Sequence, residues 1–162
     1  MSNPETSTPD QRLWSIAGRW QTSGHVIGEP TIPVVGTDIY ELFPGGHFLV
    51  HHVDVTVGGH PVRAIEIIGE PDGNGGYLAR SFDSQGDAEV MHVTIDDQGV
   101  FRFAGGGRIA PAAQPTNTQT ARVRSTLRIA ADRQSMTALW ERSDDSTTWQ
   151  PWMDITFQRS EG

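Results

Sequence analysis

Two adjacent histidines, His51 and His52, lie in an apolar, β-branched stretch that begins and ends near a Gly-Gly pair. Histidine suits proton transfer near neutral pH and is the commonest metal ligand, so the doublet could mark a catalytic pair, a metal site or a haem site. Adjacent residues of a strand point to opposite faces, which excludes a shared ion or a single dyad. The alternating set that contains His51 and Val53 is the more apolar one, so we expect His51 to face inward and His52 outward. An inward histidine fits either a hydrogen-bonded core residue or an acid or base in a pocket.

The remaining chemistry-bearing residues form no recognisable catalytic or metal-binding motif. The six histidines are scattered along the chain, and His47 and His51, which share a face, would lie about 13 Å apart along one strand. The absence of cysteine excludes thiolate metal sites, thiol catalysis and disulfides. The chain also lacks G-x-S-x-G, H-E-x-x-H and a glycine loop that leads from a strand into a helix. We therefore expect no metal site, and the sequence names no cofactor.

The charge balance of the chain argues against two classes of partner. The formal net charge is -8 and the pI is near 5.1, so the long-range field repels phosphate backbones and anionic lipid surfaces. We expect no nucleic-acid partner and no membrane partner. The N-terminal segment lacks the apolar core of a signal peptide, and no apolar run approaches about 20 residues. These features predict a cytoplasmic location.

The elements that would position His51 are strands. The chain has 18 glycines and 10 prolines, is rich in Val, Ile and Thr, and alternates with a period of two between short turns. Short turns join consecutive strands in antiparallel order. The pattern predicts an all-β fold, a single antiparallel β-barrel of about ten strands with one short N-terminal helix. The strands are expected near residues 18–27, 34–42, 46–57, 60–69, 76–83, 87–95, 99–104, 121–130, 135–143 and 149–159.

The ends and the longest connection of the chain have their own signals. Residues 1–7 are expected to be a disordered lead-in, and residues 8–160 to form one barrel domain. Thr8 is the predicted N-cap of the short helix, with Pro9 at its first position. Residues 105–117 are rich in Gly, Ala and Pro and lack periodicity, so they form either a lid or a plain crossover loop.

The segments LWSIAGRWQTSG and DITFQRSEG place Trp20 at the start of the first strand and Arg159 at the end of the last. This combination resembles the calycin superfamily of lipocalin-like barrels, in which a G-x-W motif packs its indole against an arginine of the last strand. The resemblance implies that Trp20 and Arg159 close the barrel structurally. A guanidinium stacked on an indole supplies the physical reason.

More narrowly, the segments LFPGGHFLVHH, EIIGEPDGNGGYLARSFDSQGD and TFQRS resemble an uncharacterised bacterial lipocalin-like family. The matching positions are Gly45, Gly46, Phe48, Leu49, Gly69, Asp72, Tyr77, Phe82, Asp83 and Ser84. The strand count is also distantly similar to that of nitrobindins and fatty-acid-binding proteins. Nitrobindins hold haem through a histidine late in the chain, whereas the last histidine here is His92. Haem binding is therefore an alternative function without an assigned ligand residue.

A barrel of this size encloses more volume than its inward side chains readily fill, which predicts an interior cavity. We predict non-catalytic binding of a small hydrophobic or aromatic ligand in that cavity. The expected binding residues are Trp20, His51, Val53, Arg80, Phe82, Leu127, Trp149 and Met153. An inward Arg80 would need Glu66 or Glu89 as its partner, because an unpaired buried guanidinium is costly.

Two further interpretations stay open, so the sequence does not decide whether the protein is an enzyme. A barrel enzyme of the cyclase or isomerase type would use His51 as acid or base beside Glu66 or Arg80. It predicts His51 within hydrogen-bond reach of a buried carboxylate. A purely structural protein would have a filled barrel and exposed tryptophans at a homodimer contact, since five tryptophans are many for 162 residues.

Overall fold

A computed structural model describes residues 8–106, 122–145 and 147–160. Within these residues ten strands form a closed antiparallel barrel, preceded by one short 3₁₀ helix. The predicted all-β barrel is therefore confirmed. The helix is Gln11–Ile16, and the strands are β1 Gly18–Val26, β2 Ile32–Leu42, β3 Leu49–Val57, β4 His60–Pro71, β5 Tyr77–Asp83, β6 Ala88–Ile95, β7 Phe101–Gly106, β8 Arg122–Ile129, β9 Ser135–Ser143 and β10 Gln150–Arg159.

The strands follow one another around the barrel in chain order. Each pairs with its successor, and β1 pairs with β10 to close the sheet, with Trp20 opposite Arg159. Tight turns make this order possible: Gly58 and Gly59, between β3 and β4, have φ values of 58° and 83°, which favour glycine. Because every described strand is paired on both sides, the barrel has an inside face and an outside face but no free edge.

The 3₁₀ helix covers one end of the barrel. Its N-cap is Asp10, which accepts a hydrogen bond from the Arg12 N–H at 3.0 Å. The predicted N-cap, Thr8, is wrong because the carboxylate of Asp10 already satisfies the first free backbone N–H. Leu13 and Ile16 are almost completely buried against the barrel core.

Apart from the contacts of Trp20 and Arg159, three hydrogen bonds fasten this helical segment to the strands and turns of the barrel. Tyr77 of β5 donates its hydroxyl to Asp10 at 2.7 Å. Arg12 donates to the carbonyl of Ile95 at 2.7 Å, at the end of β6. Trp14 donates its indole N–H to the carbonyl of Gly46 at 2.8 Å, in the β2–β3 turn. The helix is therefore attached at three separate points around the barrel rim.

Trp20 and Arg159 lie at the same end of the barrel. Trp20 is completely buried, and its indole N–H donates to the carbonyl of Ile16 at 2.9 Å. The guanidinium carbon of Arg159 lies 4.2 Å from the centre of the Trp20 ring. Its Nη1 donates to the Ala17 carbonyl at 3.0 Å, and its Nε donates to the Arg133 carbonyl at 2.9 Å. One cation thus connects the last strand to the helix, the first strand and the β8–β9 turn.

Two predicted features fall outside the described residues. These are the lead-in, residues 1–7, and all of the 105–117 connection except Gly105 and Gly106, which end β7. In the described ranges, no helix is long and apolar enough to cross a membrane.

Replacing Arg159 with lysine is expected to lower the free energy of unfolding by about 1 to 2 kcal/mol. A lysine ammonium cannot stack on Trp20 and still donate to both carbonyls as a planar guanidinium does. Urea denaturation followed by tryptophan fluorescence measures the change. The matched control is Arg128→Lys, an exposed arginine of β8, which should stay within about 0.5 kcal/mol of wild type. Equal stability of Arg159→Lys and wild type would contradict the closing contact.

Candidate functional site

An interior cavity of about 490 Å³ lies toward the end of the barrel opposite the 3₁₀ helix. Small-molecule sites in proteins have volumes of about 300 to 1,000 Å³. Most of the lining is apolar: Val34, Val53, Val55, Val57, Val62, Ala64, Met91, Phe103, Val123, Leu127, Ala138, Trp140, Trp152, Met153, Ile155 and Phe157. The polar and ionisable lining residues are Thr22, Asp38, Tyr40, His51, Glu66, Ser81, Asp83, Glu89 and Ser125.

The strand register collects polar side chains on one wall of this cavity. Tyr40 of β2 lies opposite His51 of β3, which in turn lies opposite Glu66 of β4. Glu66 lies opposite Ser81 of β5, and Ser81 lies opposite Glu89 of β6. Directly opposite residues share a face, with Cβ atoms about 4.5 to 5.5 Å apart. These five residues, the polar row, therefore run continuously across half of the barrel interior.

His51 is held between two carboxylates. Its Nε2–H donates to Oδ1 of Asp38 at 2.6 Å, and its Nδ1–H donates to Oε1 of Glu66 at 3.0 Å. Asp38 also belongs to β2 and is only 5% exposed. The raised pKa of His51 keeps its ring charged at neutral pH, so both ring nitrogens carry a proton and each donates to a carboxylate oxygen. We refer to Asp38, His51 and Glu66 as the buried triad.

The pKa of His51 follows from this arrangement. Burial alone would lower the pKa, because it disfavours the charged ring. The hydrogen bonds to Asp38 and then to Glu66, together with the negative charges of both groups, outweigh burial and raise the pKa of His51 to about 9. At neutral pH neither nitrogen has a lone pair to offer to a proton, a metal ion or haem iron. Among the described residues, no group of three or more His, Asp or Glu side chains could hold a metal ion.

Two neighbours fix the triad in position. The hydroxyl of Thr22 donates to Oδ2 of Asp38. The ring of Tyr40 stacks on the ring of His51, with the centroids 3.9 Å apart and the planes 11° from parallel. Burial raises the pKa of Tyr40 well above its usual value, so its phenol stays neutral beside the charged ring. Asp38 and His51 therefore each have a contact outside the triad that orients them.

Aromatic side chains lie in the other half of the barrel, formed by β7 to β10. Phe103, Trp140 and Trp152 line the cavity there. The rings of Trp140 and Trp152 meet edge to face with their centroids 6.3 Å apart, a favourable arrangement for aromatic pairs. The cavity thus has one polar wall that carries carboxylates and one aromatic and aliphatic wall.

Four of the predicted binding residues line the cavity, namely His51, Val53, Leu127 and Met153. Trp20 does not line it. Its indole contacts the 3₁₀ helix and the Arg159 guanidinium at the covered end of the barrel. Trp20 is therefore a packing residue in this structure.

The prediction that Arg80 and Phe82 face inward is wrong. Phe82 is 50% exposed, and Arg80 lies on the outer face, where its Nε donates to Glu70 at 2.7 Å. β5 instead directs Ser81 and Asp83 into the cavity. Side chains alternate strictly between the two faces of a strand. The inner face of β5 belongs to the polar row, so the assumption that the more apolar set faces inward assigns every side chain of this strand to the wrong face.

The prediction that Trp149 lines the cavity is also wrong. Its ring lies under the guanidinium of Arg124, whose carbon is 4.1 Å from the ring centre, and Arg124 is paired with Glu141 at 3.0 Å. A register shift between Pro151 and Met153 interrupts the alternation of β10. Counting back in steps of two from the inward Met153 therefore assigns the wrong face to Trp149.

The outer surface lacks the exposed tryptophans that were expected to form a homodimer contact. All five tryptophans of the chain are buried or half-buried, so none provides the exposed contact that was expected. Exposed apolar side chains occur instead on β4 and β5, where Ile65 lies opposite Phe82 and Ile67 lies nearby on the same face. The homodimer stays a prediction.

Asp38 is the functional residue that sequence reasoning missed. Both alternating sets of β2 contain apolar residues, so periodicity alone does not reveal which face Asp38 occupies. The signal that could have found it is the register of the β2–β3 hairpin. Once Tyr40 is placed opposite His51, Asp38 falls two positions away on the same face, within reach of the ring.

A second concavity lies at the β9–β10 connection, with a lining that includes Asp144, Asp145 and Gln150. This lining is mainly polar and comes largely from the loop. It lacks both the buried triad and the aromatic wall, although Trp152 borders it. The interior cavity is therefore the candidate site.

Stability is expected to fall with rising pH because of His51. A group whose pKa rises from 6.5 to about 9 on folding contributes stability that is complete below pH 6.5 and is lost as the pH passes through 9. The expected loss is on the order of 3 kcal/mol. The chain has no lysine and no cysteine, so neither residue type adds to the slope in this window. Urea unfolding at a series of pH values measures the slope.

Two variants attribute this slope to the correct histidine. His51→Gln should abolish most of the loss between pH 6.5 and 9, whereas the exposed neighbour His52→Gln should retain it. The same slope in the wild type and in His51→Gln would show that the triad does not hold a proton in the folded state.

No protein-family model matches this chain, and no curated protein sequence matches it. Among solved structures, the chain is similar to the crystal structure of Rv2717c from M. tuberculosis, with a TM-score of 0.62, 13% sequence identity, and coverage of 93% of this chain and 96% of that chain. It also aligns with a de novo designed fluorescence-activating β-barrel, with a TM-score of 0.48, 13% identity, and coverage of 93% of this chain and 99% of that chain. The first similarity concerns the fold alone, and the second is too distant to support an argument.

Proposed function

We propose that this protein binds a small, mainly hydrophobic or aromatic molecule non-covalently inside the barrel. The observation that carries the proposal is the cavity of about 490 Å³, which the inward side chains leave open. Each Å² of apolar surface that a ligand buries there contributes roughly 25 cal/mol. The sequence resemblance to lipocalin-like barrels supports the same function.

A catalytic role for His51 has one specific observation in its favour. The ring lies within hydrogen-bond distance of Asp38 and Glu66, as the cyclase or isomerase interpretation requires. However, efficient acid-base catalysis needs a pKa near the working pH and a nitrogen that can exchange its proton with substrate. With both N–H groups engaged and a pKa of about 9, His51 acts as a fixed charge in the cavity wall. Binding is therefore the function that the geometry supports better.

The same hydrogen bonds argue against haem in this cavity. His51 is the one histidine among the described lining residues. Its two nitrogens are occupied by protons that Asp38 and Glu66 accept. An axial ligand to iron needs a free nitrogen lone pair, and the triad does not provide one.

Binding inside the barrel can be tested with Nile red, a neutral dye that fluoresces in apolar surroundings. We expect the wild type to bind it saturably, with a dissociation constant in the micromolar range. This corresponds to a binding free energy of about -8 kcal/mol. Ala64→Trp places a large side chain on the cavity-lining position of β4 and should weaken binding by at least about tenfold.

The matched control is Ala104→Trp, which adds the same side chain at an exposed position of β7. This variant should bind the dye like the wild type. Thermal unfolding of both variants establishes that they are folded. If Ala64→Trp and Ala104→Trp bind Nile red equally well, the dye does not enter the barrel and the proposed function is wrong. Native mass spectrometry of the purified protein, with an absorption scan, detects any small molecule that it already carries.

A further inference from the structure

We infer that the molecule bound in the cavity is an organic cation, an amine or ammonium group carried on an apolar body. This inference rests on the proposed function, because it names the chemical class of ligand for the same cavity. It follows from how charge and aromatic surface are distributed around the cavity.

The charge of the buried triad is negative. Asp38, His51 and Glu66 make two hydrogen bonds, and each of these contacts holds one proton. Two carboxylates and one imidazole that share two protons have a net charge of -1, whichever atom holds each proton. Burial makes such an excess charge costly unless a positive group lies near it.

The described lining of the cavity supplies no positive group beyond His51 itself. It contains no arginine, and the chain has no lysine. The lining contains two further carboxylates, Glu89 and Asp83, and Oδ1 of Asp83 accepts hydrogen bonds from the backbone N–H groups of Gln85 and Asp87. The net charge of the whole chain, -8, adds to the attraction for a cation. A cationic ligand would therefore neutralise the net negative charge of the triad.

A ligand in the cavity can reach the charge of the triad through Glu66. The Glu66 side chain lines the cavity and is 14% exposed, whereas the Asp38 side chain is 7% exposed. His51 is bound to one Glu66 oxygen, Oε1. A carboxylate can accept about four hydrogen bonds, so Glu66 can accept an ammonium N–H in addition to the imidazole N–H. Such a charge-assisted bond is stronger than a neutral one.

The opposite wall of the cavity suits the apolar part of the ligand. Phe103, Trp140 and Trp152 present aromatic surface to the cavity. Aromatic faces also attract cations, and Arg142 shows this attraction at 4.9 Å from the Trp152 ring centre. A carboxylate ligand would meet the negative triad with no described lining arginine to offset it. The cavity therefore favours a hydrophobic amine over a fatty acid of the same length.

A probe series of equal size separates charge from shape. Binding of 4-phenylbutylamine, 4-phenylbutan-1-ol and 4-phenylbutanoate at pH 7 is measured by titration calorimetry. We expect the amine to bind at least about tenfold more tightly than the alcohol, and the carboxylate to bind more weakly than the alcohol. Equal affinity of amine and alcohol, or tightest binding of the carboxylate, would overturn the inference.

Nile red distinguishes this failure from failure of the proposed function. If the dye binds inside the barrel but the amine shows no preference or no binding, the ligand class is wrong and the cavity remains a binding site. If neither the dye nor any of the three probes binds, the proposed function fails and the inference fails with it.

Glu66→Gln tests the residue through which the charge acts. The comparison is made at pH 6, where the imidazole, still paired with Asp38, keeps its proton and the triad becomes neutral. The ratio of amine to alcohol affinity should fall at least about tenfold. The control is Glu70→Gln, which removes an exposed carboxylate near the end of the same strand. Glu70 pairs with Arg80 on the outer face, so this variant should keep the wild-type ratio. An unchanged ratio in Glu66→Gln would overturn the assignment. The wild-type probe series decides the inference even if this variant does not fold.

Discussion

Backbone pairing between β1 and β10 is the interaction on which the rest of the structure depends. It joins the two ends of the chain and turns an open meander into a barrel with a defined interior. Only in a closed sheet does strict alternation decide which side chains are enclosed and which face water. The Arg159 guanidinium stabilises this seam by stacking on Trp20 and by donating to carbonyls on both sides of it.

The fold could be predicted because its signals are local. Turn residues and period-two alternation divide the sequence into ten strands, and short turns leave antiparallel pairing as the simple arrangement. Where alternation is strong the faces follow as well: Leu127 of β8 and Ile155 of β10 are buried as their apolar sets require. The same rule fails for β5, because Phe82 and its apolar neighbours face outward there. Apolarity predicts burial only where the interior itself is apolar.

The candidate site could be predicted only in part. His51 stands out because a polar residue interrupts an otherwise apolar face, which alternation alone reveals. Its two partners, Asp38 and Glu66, come from the neighbouring strands on either side. Their contacts therefore depend on interstrand register, which hairpin turn lengths and bulges set and which a single-strand pattern does not contain. A sequence that yields the strands can thus identify one member of a charged cluster and still miss the cluster.

The order of the strands also bears on how the chain acquires its structure. The polar row lies on β2 to β6, five strands joined by consecutive hairpins, so its contacts are close in sequence. The β1–β10 seam joins residues from opposite ends of the chain and carries the largest loop-closure entropy of any ladder in the barrel. The charged wall can therefore assemble from local contacts while the sheet is still open to water. If the seam closes last, desolvation of the triad comes with that closure, and the cost of burying charge falls on the last step of folding.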